Sequence, residues 1–243
     1  ITCIIQKYLH IYISSKYRDI DVQVFLDNAC NLFYVNYKGH KMYMSRKFKN
    51  EKEVAAYYKS VLMEQDEDSP HKYLTKDFNV ENSDVVVDVG VAEGNFSLDI
   101  IDRVKKIYLI ETDDDWLEAL KMTFREYEDK VQIVKGYVSS VEEGPFVTLD
   151  SIISEPVNFI KMDIEGNEWD ALQGAAKLIQ KSENIRCAIC CYHSDFDQTL
   201  IETFFDSMDI KHDTSYGYMW FPWKVRQNYV STRLNRALVR GEK

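Results

Sequence analysis

Three charged side chains, Lys161, Asp163 and Glu165, alternate along "FIKMDIEG", a stretch that is otherwise apolar. Every second residue of a strand lies on one face, so this spacing predicts all three on one side near the strand's carboxyl end. Charges at such depth are costly unless paired or used, which favours a functional site. A second apolar run, "IRCAICCYH", closes on His193. An imidazole with an ordinary pKa of about 6.5 suits proton acceptance at neutral pH, although a strand-end histidine can equally just complete a hydrogen-bond network. Asp163, Glu165 and His193 together also offer ligands compatible with Mg²⁺ or Mn²⁺. Nothing in their spacing demands an ion, and no metal is assigned. Lys161 then pairs with one of the two carboxylates and holds the site in shape.

A second constellation lies upstream. "VVVDVGVAEGNFSLDII" passes from an apolar run through Gly90 and Gly94 into helical spacing. Gly90 lets the chain turn and leaves no Cβ where a ligand approaches the backbone; Gly94 lets the helix pack closely on the strand. The pattern is G-x-x-x-G rather than the G-x-G-x-x-G that cradles a dinucleotide pyrophosphate. A plain strand-to-helix turn would produce it too. The next strand ends at Glu111, and 111 − 90 = 21 residues is the separation expected of an acid that bonds ribose hydroxyls. Asp113, Asp114 and Asp115 follow and suit a helix N-terminus. Glycine turn and acidic strand end together point to a nucleoside without pyrophosphate, and S-adenosylmethionine fits.

These residues need a scaffold that brings strand ends together. From Asp77 onward, short apolar strands alternate with helical stretches: "DVVVDVG", "KKIYLIE", "VQIVKGYV", "FIKMDI" and "IRCAICCYH", separated by "GNFSLDIIDRV", "DDDWLEALKMTFREYE" and "NEWDALQGAAKLIQKS". Strands apolar on both faces between helices imply a parallel sheet covered on both sides. The class is α/β, doubly wound and Rossmann-like, and ligands in such sheets bind beyond the carboxyl ends of the strands. "DQTLIETFFDSM" reads as a further helix and "KHDTSYGYMWFPW" as a closing hairpin of two more strands. Residues 1–73 form an N-terminal extension and residues 74–243 the main domain. Within the extension, "NLFYVNYKGHKMYMSRKF" reads as a β-hairpin turning at Lys38-Gly39-His40. "EKEVAAYYKSVLMEQ" reads as an amphipathic helix, and "SRKFKNEKE" as a solvated charged face.

Composition bounds the function. The net charge of −10 repels phosphate backbones, which argues against nucleic acid as the partner. No run of about 18 apolar residues exists, so no membrane span is expected. The opening "ITCIIQKYLHIYISSKYRD" reads as an amphipathic helix rather than a signal peptide, and Ile1 in place of Met leaves room for residues upstream. Five cysteines suggest a reducing, cytoplasmic setting. Of the clustered ones, Cys187 and Cys191 fall on one strand face and Cys190 on the other, a pattern of core packing rather than zinc ligation.

Four segments, "VVVDVGVAEGNFS", "YLIETDDDWLEALK", "VTLDSII" and "FIKMDIEGNEWDALQGA", closely resemble in this order the FkbM family of S-adenosylmethionine-dependent methyltransferases. "KMDIEG" followed by Glu168 and "LQGA" is the most distinctive, and "CYHSDFD" and "YGYMWF" resemble the family's closing strands. The resemblance covers roughly Tyr73 to Trp223. It implies a seven-stranded methyltransferase sheet and methyl transfer, usually to a hydroxyl of a sugar, glycan or natural product. Carried over by position, Asp88, Gly90 and Gly94 hold the methionine part of the cofactor and Glu111 the ribose, with Thr112 beside it. Ala92 stands in the same loop where the family often has Asn. Tyr137 and Val138 lie against the adenine or simply pack as strand residues.

In-line methyl transfer needs alignment, exclusion of water and a base for a hydroxyl acceptor. Lys161, Asp163, Glu165 and His193 are the catalytic candidates, with His193 the base and Asp163 orienting the acceptor or meeting the cofactor's ammonium. His71, Lys72 and Tyr73 precede the first strand, where a segment can fold over the cofactor and Tyr73 reach the methionine carboxylate; a surface loop is the bland alternative. Tyr216, Tyr218, Trp220 and Trp223 offer rings that stack on a sugar or pack in the core. A cofactor-binding sensor that transfers no methyl is the competing function, disfavoured by the charged strand-end cluster; an NAD-dependent oxidoreductase is the weakest. The N-terminal part shapes the acceptor pocket or forms a homodimer contact.

Overall fold

The computed structural model describes residues 13–194, 197–220, 225–226, 229–230 and 234–243. The N-terminal part is a three-stranded antiparallel sheet, β1 (Val24–Asp27), β2 (Leu32–Tyr37) and β3 (His40–Tyr43), followed by α1 (Glu51–Glu64). Tyr37 pairs with His40 in register, so Lys38-Gly39 is a two-residue turn with both φ positive, as such hairpins require. The Asn50 side chain accepts from Glu53 N and starts α1. Of the apolar N-terminal stretch, residues 13–18 are helical; residues 1–12 lie outside the described residues.

The main sheet takes β4 (Val85–Val89), β5 (Lys106–Glu111), β6 (Val131–Lys135), β9 (Phe159–Met162), β10 (Arg186–Cys190), β11 (Lys211–Thr214) and β16 (Leu238–Glu242), in the order β11-β16-β10-β9-β4-β5-β6. The five strands from β10 to β6 are parallel, and β16 is antiparallel to both neighbours. The helices are α2 (Asn95–Ile100), α3 (Asp114–Thr123), α4 (Leu149–Ile152), α5 (Glu168–Gln173), α6 (Ala176–Lys181) and α7 (Asp197–Ser207). Minor pairs, β7 (Tyr137–Val138) with β8 (Phe146–Val147), β12 (Met219–Trp220) with β15 (Leu234–Asn235), and β13 (Val225–Arg226) with β14 (Tyr229–Val230), complete the described strands.

Period 2 splits the sheet between two cores. Val85, Val87, Val89, Ile160, Met162, Cys187 and Ile189 pack with α5 and α6 residues, whereas Val86, Phe159, Ala188 and Cys190 pack with α2 and with Val35, Tyr37, Met42 and Val54 of the N-terminal part. Both sheet faces are therefore covered, as the uninterrupted apolar strands require. Cys187, Cys190 and Cys191 are buried free thiols divided between these faces. Among the described residues, no helix is long and apolar enough to cross a membrane.

Several expectations need correction. The final sheet strand is not part of a hairpin in "KHDTSYGYMWFPW": β11 pairs with β16, and Met219–Trp220 pairs elsewhere, with Asn235 and Leu234. The third strand breaks at Gly136 into β6 and β7. "NEWDALQGAAKLIQKS" is two helices, because the chain crosses the Ser139 carbonyl at Gly174, where a Cβ would sit 2.0 Å from that oxygen. Strand β1 carried no strong alternation and was not anticipated. Trp223 and the Trp220 side chain lie outside the described residues. Tyr216 is exposed and the Tyr218 ring stacks on Arg236.

Candidate active site

Strand order reverses between β4 and β9, since the chain builds outward from β4 through β5 to β6 and then from β9 to β10. A cleft of about 570 Å³ opens beyond the carboxyl ends of these strands, where doubly wound sheets hold ligands. Gly90, at φ +74°, carries the chain across the end of β9; a Cβ there would lie 1.9 Å from the Asp163 carbonyl oxygen. Ala92 follows with φ 49°, left-handed backbone that a residue bearing a Cβ adopts at a cost of about 1–2 kcal/mol. Asn tolerates that conformation better than Ala. Gly94 caps α2.

Glu111 is buried at the end of β5. Its Oε2 accepts from Ala92 N at 2.9 Å, and its Oε1 accepts from Thr112 N at 2.6 Å and Asp113 N at 2.9 Å. Three backbone amides thus fix one carboxylate beside the cleft and tie the glycine loop to the second strand end. Asp113 also caps α3 by accepting from Asp115 N. Tyr137, half exposed, and buried Val138 line the cleft; so do Trp116, Phe146 and Asn167, which the sequence reading does not single out.

Asp88 and Lys161 face each other in register across β4 and β9, on the side that meets α2. Lys161 Nζ lies 3.0 Å from Asp88 Oδ1 and donates to Gly90 O at 2.6 Å, while Ser97 Oγ donates to Asp88 Oδ2 at 2.7 Å. Neither side chain lines the cleft. They form a buried strut beneath the glycine loop. Burial pushes the Lys161 ammonium down, but the Asp88 and Asp163 carboxylates outweigh it and hold its pKa above the ordinary value.

Asp163 follows β9 and is the hub of the polar network. Tyr73 Oη donates to Oδ2 at 2.8 Å and Tyr192 Oη to Oδ1 at 3.2 Å. His71 Nε2 stands 3.5 Å from Oδ2 and His193 Nε2 3.4 Å from Oδ1. Burial alone would raise the Asp163 pKa, but His71, Lys161 and His193 hold it well below the usual carboxylate range. Tyr73 is buried, its ring edge-on to Phe96 at 5.7 Å.

Glu165 does not join this group. The strand ends at Met162, and Glu165 and Gly166 take φ of 61° and 103°, which turns Glu165 out to the exposed rim of the cleft. The shared face predicted for Lys161, Asp163 and Glu165 therefore fails at its third member. Its place against His193 is taken by Glu168, in the first turn of α5 and 1% exposed. His193 Nδ1 lies 2.9 Å from Glu168 Oε1, which also accepts from Ile164 N at 2.9 Å. Burial lowers the His193 pKa, yet Glu168 and Asp163 outweigh it and leave it raised.

Candidate ligand atoms of Asp163, Glu168 and His193 gather within 4.8 Å of one another, as do those of His71, Asp163 and Cys190. In the first group the two histidine nitrogens point to different carboxylates, Nδ1 to Glu168 and Nε2 to Asp163. The sequence reading gives no site role to Glu168 or Tyr192, and places His71 only in a segment that can fold over the cofactor. An acid in the first turn after a functional strand end was the available signal for Glu168.

Residues 70–218 match the model of the methyltransferase FkbM domain. A methyltransferase FkbM from Methylobacillus flagellatus KT superposes with a TM-score of 0.55 at 20% identity, over 82% of this chain and 56% of that one. The chain thus spans little more than half the length of that relative. A precorrin-6y C5,15-methyltransferase from Geobacter metallireducens gives a TM-score of 0.49 at 10% identity, covering 86% of this chain and 97% of that one. A Streptococcus mutans methyltransferase solved with S-adenosylhomocysteine gives 0.47 at 16% identity, over 68% and 90%. No curated protein sequence matches the chain.

Proposed function

The chain belongs to the FkbM methyltransferase family, and from that premise we propose that it moves the methyl group of S-adenosylmethionine to a hydroxyl oxygen of a sugar, glycan or small natural product. The observation that carries the cofactor is the charge of the cleft. Its described lining holds four carboxylates, Glu111, Asp113, Asp163 and Glu165, and no Lys, Arg or His. Such a wall repels a pyrophosphate and suits a ligand bearing sulfonium and ammonium charges. Glu111, already oriented by its amides, would accept the ribose hydroxyls, with Tyr137 and Val138 beside the base and the Gly90 loop beside the methionine part. Asp88, beneath the loop, would act by holding Lys161 and the Gly90 carbonyl in place. Bound there, S-adenosylmethionine supplies a methyl on a positively charged sulfur.

The chain's own residues would do the rest. An anion solvated by Tyr73, Tyr192 and two histidines is a poor proton acceptor, so Asp163 keeps its charge and orients the groups around it. His193, whose Nε2 stands 3.4 Å from the same carboxylate just behind the cleft lining, would be the base that takes the acceptor's proton. The edge-to-face chain of Phe96, Tyr73, His71 and Tyr192 rings would exclude water from this end.

Isothermal titration with S-adenosylhomocysteine and, separately, NAD⁺ tests the reading. Micromolar binding of the former is expected, weakened about ten- to a hundredfold in Glu111→Ala, since hydrogen bonds to a charged group contribute about 1.5–3 kcal/mol. Tighter binding of NAD⁺, or indifference to the substitution, would reject it.

A further inference from the structure

We propose, on the reading of the cleft as an S-adenosylmethionine site, that Trp116 flanks the cofactor's nucleoside and that the N-terminal segment Arg46-Lys47-Phe48 positions it there. Trp116 stands in the first turn of α3 and lines the same cleft as Glu111, Thr112 and Asp113. Its indole is only partly buried and packs against the core that the N-terminal part supplies. A flat apolar ring beside the acid assigned to the ribose suits a nucleoside, because every base has a π-face that stacks on an aromatic side chain.

A strip of the N-terminal part lies antiparallel along α3 and holds that ring. Tyr43 N, at the end of β3, donates to Thr123 Oγ1 in the last turn at 3.0 Å. The Arg46 guanidinium grips the Glu118 carboxylate through Nε and Nη2, and Nη2 also donates to Cys30 O at 2.9 Å. Lys47 Nζ pairs with Asp113 Oδ2 at the helix cap. Phe48 meets Trp116 edge-on, with ring centroids 6.1 Å apart. Tyr57 of α1 packs against both, 5.0 Å from Phe48 and 5.7 Å from Trp116.

The stretch "SRKFKNEKE" is therefore more than a solvated face. Arg46 and Lys47 are exposed, but their charged ends are committed to α3. Exposed ion pairs contribute little stability, so their effect here is to fix register while the ring contacts carry the energy. Tyr57 also donates to Glu93 in the glycine loop, so the same ring cluster joins α3 to that loop. The N-terminal part thus reaches the cleft through Trp116.

Trp116 is one of four tryptophans, with Trp169, Trp220 and Trp223, and fluorescence can single it out. S-adenosylhomocysteine is titrated into the wild type and Trp116→Phe, read in parallel by intrinsic emission and calorimetry, well below each protein's unfolding midpoint. Binding is expected to quench the wild-type emission, and the quench to vanish in Trp116→Phe while calorimetry still records binding. Trp116→Ala is expected to weaken binding about ten- to a hundredfold. Phe48→Ala is expected to weaken it about three- to tenfold, and Phe48→Tyr, which keeps the ring, to restore it. A quench that persists in Trp116→Phe, or is absent from a wild type that binds, overturns the role of Trp116. Affinity unmoved in Phe48→Ala overturns the positioning role and leaves the segment as a structural brace. Where Trp116→Phe does not fold, Trp116→Tyr answers the same question. A wild type that gives no binding heat with S-adenosylhomocysteine rejects the cofactor reading itself, and the role of Trp116 falls with it.

Discussion

Glu93 sits inside the loop that shapes the cleft, yet its carboxyl is buried and takes a hydrogen bond from Tyr57 Oη of α1. Burial pushes its pKa up to about 7, against the opposing pull of the Tyr57 hydroxyl. A carboxyl that binds its proton more tightly when folded stabilises the fold fully below its ordinary value of about 4.5 and loses that contribution as the pH rises to about 7. Glu93→Gln should therefore flatten the part of stability that declines across this window, a difference of a few kcal/mol, measured by urea unfolding of both proteins at several pH values. At this scale the sequence was readable where one residue announces itself: Glu111 by its distance from Gly90, Asp163 by charge in an apolar strand, His193 by its strand-end place. Glu168, His71 and Tyr192 were not, because their roles exist only as contacts between segments far apart in the chain. Glu165 was misplaced because period 2 was carried past Met162, where the strand stops.

Between elements, the decisive meeting is the loop after β4 with the loop after β9. Gly90→Ala would drive a Cβ into the Asp163 carbonyl in a backbone conformation that alanine resists. It should lower stability by about 1–3 kcal/mol and abolish S-adenosylhomocysteine binding at micromolar concentrations, checked by thermal unfolding and calorimetry. Unchanged binding would mean that the two loops are not rigidly joined. The parallel strands were legible because both their faces are apolar, and α3 because three aspartates form its cap and first turn. The breaks at Gly136 and Gly174 were not, since what stops each element there is a neighbour, Val147 in one case and the Ser139 carbonyl in the other. The last sheet strand escaped notice because "ALVRGE" is short and carries charge.

Over the whole molecule, the N-terminal sheet and α1 do not stand apart. Val35, Tyr37, Met42, Met44 and Val54 share one apolar core with Val86, Phe96 and Phe159. Tyr57 on α1 reaches Glu93, and His71 and Tyr73, on the segment after it, reach Asp163. Scanning calorimetry should therefore show one unfolding transition with matching calorimetric and van't Hoff enthalpies; two resolved transitions would show that the N-terminal part folds by itself. The composition and charge had bounded the class of molecule, but not this joining, because the resemblance to known methyltransferases begins only near Tyr73.

The Asp88–Lys161 strut has a consequence for how such a chain drifts over generations. The two residues are distant in sequence but neighbours in register, and neither has another ion-pair partner among the described residues. Losing one strands the other charge in the core at a cost of about 3–5 kcal/mol, a large share of what holds a domain together. Single changes at either position are then purged, whereas a joint exchange for two apolar residues of similar volume survives. The pair should be inherited or replaced as a unit, so that across descendants of this chain the two positions keep time with each other.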